Sequence, residues 1–268
     1  GGVNRLSFGA QSFDDGLLAA LGRTHSAADV ERSVGLAREA GFGNLSIDLM
    51  FGLPRQSLAQ LERTLDRALS LELPHYSAYA LKIEEHTLFH ALHERGELPL
   101  PDEDEEWEMY RLVMERLRGA GYVQYEISNF ARPGFESRHN AVYWRNESYY
   151  GLGAGAHGYV RGVRHVNVKG VQAYIEAARN GLPALERREV TEREAMEDFM
   201  MLGMRLLAGV TREDFRSQFG REPEDVFGGT LERLLGRGLI EETARGWRLS
   251  EKGIPYGNEV FGAFLGVG

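Results

Sequence analysis

Two hydrophobic periods take turns along the first half of the chain, and that alternation limits the folds open to it. Residues 44–54, NLSIDLMFGLP, set Leu45, Ile47 and Leu49 against Ser46, Asp48 and Met50. Period two is the signature of a strand whose successive side chains face opposite ways. Gly52 and Pro54 close it with a turn. Asp48 then sits near the carboxyl end of a strand, opposite three aliphatic side chains. On an edge strand it faces water. On a covered strand its charge must be hydrogen-bonded or paired, as at a ligand site.

The same alternation recurs around it. VNRLSFGA (3–10), HYSAYALKI (75–83) and QYEISNF (124–130) read as further strands. Between them lie three helical patterns. SAADVERSVGLAREAG (26–41) has Ser26 and Asp29 spaced as a capping box, and SLAQLERTLDRALSLE (57–72) has a leucine stripe. DEDEEWEMYRLVMERLRGAG (102–121) gathers its acids where the helix dipole favours them. Strand–helix repetition implies parallel strands joined by right-handed crossovers. Ligands of such sheets collect at the carboxyl ends of the strands. Gln11, Asp48 and Asn129 fall at such ends.

The second half is patterned differently. TEREAMEDFMMLGMRLLAG (191–209) is a Met- and Leu-rich amphipathic helix, with Met read as core filler. TREDFRSQFG (211–220), a helix near 229–236 and a hairpin turning at Ala244–Gly246 read as a winged-helix-like unit. The expected organisation is a partial barrel over 1–165 and a mainly helical domain over 166–268.

Composition removes several classes of function. The chain has 268 residues, a net charge of −9 and 43% hydrophobic residues. A surface this acidic disfavours nucleic acid, because phosphate contacts need cations. Arg233 and Arg237 of the winged-helix-like unit stand among Glu222, Glu224, Asp225, Glu232, Glu241 and Glu242. No stretch approaches the ~20 apolar residues of a membrane span. The opening GGVNRLSFG has no signal-peptide pattern. There is no cysteine, so the chain supplies neither disulfides nor thiolate ligands; a reducing, cytoplasmic setting is the expectation.

Three local motifs carry candidate chemistry. GLGAGAHG (151–158) has the spacing of a dinucleotide fingerprint but leads into YVRGVRHVNV, a strand or loop pattern, so that reading is rejected. Its glycines point to tight turns or close backbone approach, with His157 facing a ligand or satisfied in the loop. His86, His90 and His93 would share one face of a helix, read as exposed rather than metal-binding. SRHNAVYW (137–144), without clean periodicity, reads as a polar–aromatic loop suited to a flat, partly apolar ligand. Packing of Trp144 is the alternative.

VNRLSFGAQSF, LGRTH, SIDLMFGLPRQS, LPDEDEEWEMY, GYVQYEISNFARPG, SRHNAVYW and YYGLGAGAH follow one another along the chain. Together they resemble the radical S-adenosylmethionine proteins related to oxygen-independent coproporphyrinogen III oxidase, most nearly the HemW-type haem chaperones. The resemblance implies a partial (β/α)6-type barrel of parallel strands followed by the mainly α domain. It implies S-adenosylmethionine contacts at Gln11, Arg23 and Asp48, with His157 beside the adenine end. The HNxxYW box marks the chaperone branch and implies haem contacts at His139, Asn140, Tyr143 and Trp144, with His139 as iron ligand. Ser137 stands where that branch often has Cys. The family's CxxxCxxC motif for a [4Fe–4S] cluster has no counterpart here, so the chain reads as a partial sequence with the cluster ligands upstream. The implied partners are haem and recipient haemoproteins. The alternative is radical decarboxylation of coproporphyrinogen, and whether the protein is an enzyme stays open.

Overall fold

The computed structural model describes residues 2–266, which divide after Glu136 into two compact units. The division falls ahead of the boundary read from the sequence.

The first unit is built on one five-stranded sheet. In chain order it runs β1 (Arg5–Gln11), α1 (Asp15–Ala20), α2 (Ala27–Glu39), β2 (Asn44–Phe51), α3 (Leu58–Ser70), β3 (His75–Ala80), α4 (Leu88–Glu94), α5 (Glu103–Gly119), β4 (Val123–Glu126) and β5 (Asn129–Ala131). The strand order is β1-β2-β3-β5-β4. β1, β2 and β3 are parallel, whereas β5 is antiparallel to both β3 and β4. The segment 124–130, expected as one strand, is therefore two. Glu126 folds back so that its carboxylate accepts from the Ser128 backbone N–H and the Asn129 amide, and this closes a tight reversal. β4 keeps the direction of the first three strands, and β5 returns between it and β3.

Local sequence accounts for the helices. Ser26 with Asp29, Ser57 with Gln60 and Asp102 with Glu105 form reciprocal capping boxes at α2, α3 and α5. Each satisfies two backbone donors that the first turn would leave orphaned. The apolar face of β2 (Leu45, Ile47, Leu49, Phe51) is buried, as are Leu61 and Leu65 of α3 and Val113 and Leu117 of α5. Full burial of such a side chain contributes about 1.5–3 kcal/mol, enough to dictate which face of β2 turns to the helices. The opposite face, with Asp48, is left for other chemistry. The three histidines separate: His86 lies ahead of the Thr87 N-cap with φ +62°, so only His90 and His93 lie on α4.

The second unit runs α6 (Arg138–Trp144), β6 (His157–Val160), β7 (Val163–Asn167), α7 (Val171–Arg179), β8 (Ala184–Glu189), α8 (Glu192–Gly203), β9 (Val210–Thr211), α9 (Arg212–Phe219), α10 (Pro223–Gly236), β10 (Ile240–Glu242), β11 (Gly246–Leu249), a 3-10 turn (Ile254–Tyr256) and α11 (Gly257–Gly262). SRHNAVYW is a capped helix rather than a loop: Ser137 Oγ accepts from the Asn140 N–H, and seven residues are too few for a period to show. β6, β7 and β8 form an antiparallel meander. α8, α9 and α10 with the sheet β10-β11-β9 form the winged-helix-like unit. Its core is a chain of edge-on aromatic contacts through Phe199, Phe215, Phe227 and Phe264. Met196, Met200 and Met204 are buried beside them, as core filler.

Candidate functional site

Strand register lines up a polar rung across the whole first sheet. Asp48 on β2 pairs with Ser77 on β3, Ser77 pairs with Asn129 on β5, and Asn129 pairs with Glu126 on β4. At the other side, Ser7 Oγ on β1 donates to Asp48 Oδ1 at 3.0 Å. Gln11 ends β1 with φ +63°, and its Nε2 would lie 3.0 Å from a Cβ added to Gly9. Gly9 shares the face of Ser7 two residues earlier, so the Gln11 amide folds back over the face that carries Asp48. Arg23 follows α1, exposed, and its guanidinium has no hydrogen-bond or ion-pair partner among the described residues. Asp48 is thus half-buried and hydrogen-bonded on the polar face of an interior strand, which excludes the edge-strand reading.

Two further features lie on this face. Asn129 is almost fully buried, yet its Oδ1 is left without a direct hydrogen bond. A buried acceptor with no donor costs about 1–3 kcal/mol, and a ligand N–H or O–H is the chemistry that would satisfy it. Nearer the start of the strands, Ser46 Oγ meets His75 Nδ1 at 2.8 Å and His75 Nε2 meets the Tyr125 hydroxyl at 2.9 Å. Burial, with repulsion from Arg5 adding to it, pushes the His75 imidazole down to about 3. It is therefore neutral, with one ring nitrogen donating and the other accepting.

The second unit holds a cavity of about 460 Å³. The antiparallel register puts directly opposed residues on one face of the meander: His157, Tyr159, Arg164, Val166, Glu186 and Arg188 share the cavity face. Met201 and Leu202 of α8, Tyr143 of α6 and His165 of β7 also line it. Tyr143 packs edge-on against both His139 and Tyr149, with ring centroids 4.9 and 4.6 Å apart. Beneath the sheet, Arg164 donates to the buried Asp198 carboxylate at 2.6 Å. Burial raises the Asp198 carboxyl and Arg164 opposes the rise.

The glycine-rich loop explains itself here. Gly153 and Gly155 have φ of +106° and +68°. A side chain on Gly151 would strike the His157 carbonyl, and one on Gly158 would strike the His165 ring. The Asn167 amide donates to the Gly151 and Gly153 carbonyls at 3.0 and 2.9 Å and clamps the loop to β7. Of the HNxxYW box, Tyr143 lines the cavity and His139 reaches it only through Tyr143. Trp144 is covered by Arg205, 4.4 Å above its ring, and its indole Nε1 has no hydrogen-bond partner among the described residues. Ser77, Glu126, Arg164, Asp198 and Tyr149 were not legible as site residues. Only the period-two polar positions of the strands hinted at the first two.

No group of three or more His, Cys, Asp or Glu able to hold a metal ion occurs among the described residues. No helix among them is long and apolar enough to cross a membrane. In the winged-helix-like unit Arg212, Arg216, Arg237 and Arg248 are each paired with a glutamate.

Residues 1–68 match the Radical SAM superfamily and residues 190–256 the HemN C-terminal domain. The chain is 49% identical over 266 residues to the heme chaperone HemW of Bacillus subtilis, across 99% of this chain and 70% of that protein. It is 40% identical to the HemW of Lactococcus lactis, across 98% and 69%. Among solved structures it resembles the coproporphyrinogen III oxidase HemN of Escherichia coli, described as a radical SAM enzyme, with a TM-score of 0.77 at 20% identity. That likeness covers 98% of this chain and 64% of HemN, and at such identity it speaks for the fold alone.

Proposed function

The chain belongs to the HemW family of heme chaperones within the radical SAM superfamily, and from that premise we propose that it binds haem in the cavity of its second unit and passes it to recipient haemoproteins in the cytoplasm. The observation that carries the reading is the cavity itself. Its volume of about 460 Å³ falls within the ~300–1,000 Å³ usual for small-molecule sites. Tyr143, Tyr149 and Tyr159 give flat walls for a macrocycle, and Met201 and Leu202 give an apolar floor. The helix of the HNxxYW box frames it: Tyr143 stands in the wall, His139 holds the Tyr143 hydroxyl, and Ser137 caps the helix at the Asn140 N–H.

In the first unit Gln11, Arg23 and Asp48 are assigned to S-adenosylmethionine. The polar rung fits that cofactor, and the unsatisfied Asn129 Oδ1 asks for a donor that its amine or ribose can offer. Arg23, without a hydrogen-bond or ion-pair partner among the described residues, suits a carboxylate. Asp48, already accepting from Ser7, has a second oxygen for a hydroxyl or ammonium. When bound, the cofactor supplies a sulfonium centre open to one-electron cleavage. A [4Fe–4S] cluster is held by Cys thiolates; this chain has no cysteine, so its residues do not fit that group.

Haem titrated into the protein and followed at the Soret band tests the proposal. Saturable binding at one equivalent is expected. A spectrum unchanged from haem in buffer refutes it. Conversion of coproporphyrinogen to a vinyl product by the same preparation would favour the oxidase chemistry instead.

A further inference from the structure

Resting on the haem reading above, we propose that the loop at 150–155, α7 and the start of β8 form the surface on which a recipient protein docks, and that this recipient presents acidic side chains around an apolar centre.

Exposed apolar side chains gather here rather than scatter. Of the large hydrophobic residues exposed among the described residues of the second unit, Tyr150, Leu152, Val171, Leu182 and Leu185 lie in these three segments, and only Tyr256 and Leu265 lie elsewhere. Leu152 and Leu182 are 84% and 77% exposed. Hydrogen bonds hold the segments side by side. The Gly155 N–H donates to the Val168 carbonyl and the Val168 N–H to the Pro183 carbonyl, both at 2.9 Å. The Gly153 N–H donates to the Tyr174 hydroxyl at 3.1 Å. α7 carries Val171, Tyr174, Ile175 and Ala178 at the spacing of an apolar stripe, yet none of its residues is buried. A contiguous apolar face left open and rimmed by polar groups marks an interaction site.

Charge selects the occupant. Lys169 lies against Gly155, Arg179 ends α7 and Arg187 follows Leu185 by two residues on β8. All three are exposed, and their side chains make no hydrogen bond or ion pair among the described residues. They stand out in a chain of net charge −9, whose winged-helix-like arginines are tied to glutamates. Of the nearby acids, Glu176 stands off the apolar stripe of α7 and Glu186 lines the cavity. Cations around exposed leucines complement an acidic rim around an apolar centre. The patch also borders the cavity, because Tyr150 and Leu185 are chain neighbours of Tyr149 and Glu186 in its wall. A recipient seated here lies next to the haem it would take.

The test follows haem transfer at the Soret band from the loaded protein to acidic apocytochrome b5 and to near-neutral apomyoglobin. Two variants are compared with the wild type: the triple change Lys169→Glu, Arg179→Glu, Arg187→Glu, and the double change Leu152→Ser, Leu182→Ser. None of these residues lines the cavity and all are exposed, so haem affinity and circular dichroism should match the wild type. At low salt the charge-reversed variant should load apocytochrome b5 at least about tenfold more slowly, the low end of what electrostatic steering supplies, and added salt should close the gap. Its transfer to apomyoglobin should stay at the wild-type rate. The serine variant should slow transfer to apocytochrome b5 at every salt concentration. Equal rates to apocytochrome b5 in all three proteins overturn the assignment and leave the haem reading intact. So does binding to phosphatidylglycerol vesicles, or dimer formation in sedimentation, that the variants abolish while transfer stays at the wild-type rate. A wild type that takes up no haem overturns both.

Discussion

Protonation of His75 should destabilise the first unit over a defined pH window, and the size of the effect follows from its surroundings. Its folded pKa is pushed down to about 3, first by burial and then by Arg5, against an unfolded value of about 6.5. Because the folded value is depressed, the unfolded chain binds the proton more readily. The contribution is fully present above about pH 6.5 and is lost progressively as pH falls towards 3. Between pH 7 and pH 5 these two values give a loss of about 2 kcal/mol. With a urea m-value of about 2 kcal/mol/M, that is a drop of about 1 M in the unfolding midpoint. The perturbation is His75→Gln, which keeps a donor and an acceptor beside Ser46 and Tyr125 but does not titrate. Its absolute stability is not the readout. Urea melts of wild type and variant at pH 7 and pH 5, followed by circular dichroism, give the difference in pH dependence, and carboxylates common to both cancel. An equal midpoint shift in the two proteins would refute the buried, neutral imidazole.

Asp48→Asn should weaken S-adenosylmethionine binding about tenfold or more in calorimetric titration, since a hydrogen bond to a charged group is worth about 1.5–3 kcal/mol; a change under twofold counts against the polar rung as the cofactor site. Gly209→Ala should lower the thermal midpoint of the second unit by the equivalent of more than about 2 kcal/mol, because Gly209 has φ +73° and an added Cβ would run into the Trp247 carbonyl. Ser57→Ala should cost about 1 kcal/mol in a urea melt through loss of the α3 cap and should leave haem uptake unchanged.

The sequence by itself determined much of the local structure. The spacing of Ser26 with Asp29 fixed where α2 begins, and the alternation of Leu45, Ile47 and Leu49 with Asp48 settled which face of β2 is apolar. Period and capping are properties of a few neighbouring residues, so they can be read without knowing the rest. Tertiary structure decided the partners. The QYEISNF segment looks like one strand because its reversal depends on a side chain, that of Glu126, bonding to residues two and three ahead. The rung from Ser7 through Asp48 and Ser77 to Asn129 draws on four strands, and no local pattern sets their register. In the second unit the HNxxYW box pointed to His139 through a family resemblance. The fold engages that imidazole with Tyr143 and sets Tyr143 in the cavity wall with His157 and His165. Which side chains line the cavity depends on contacts between distant segments, and only the folded chain makes them.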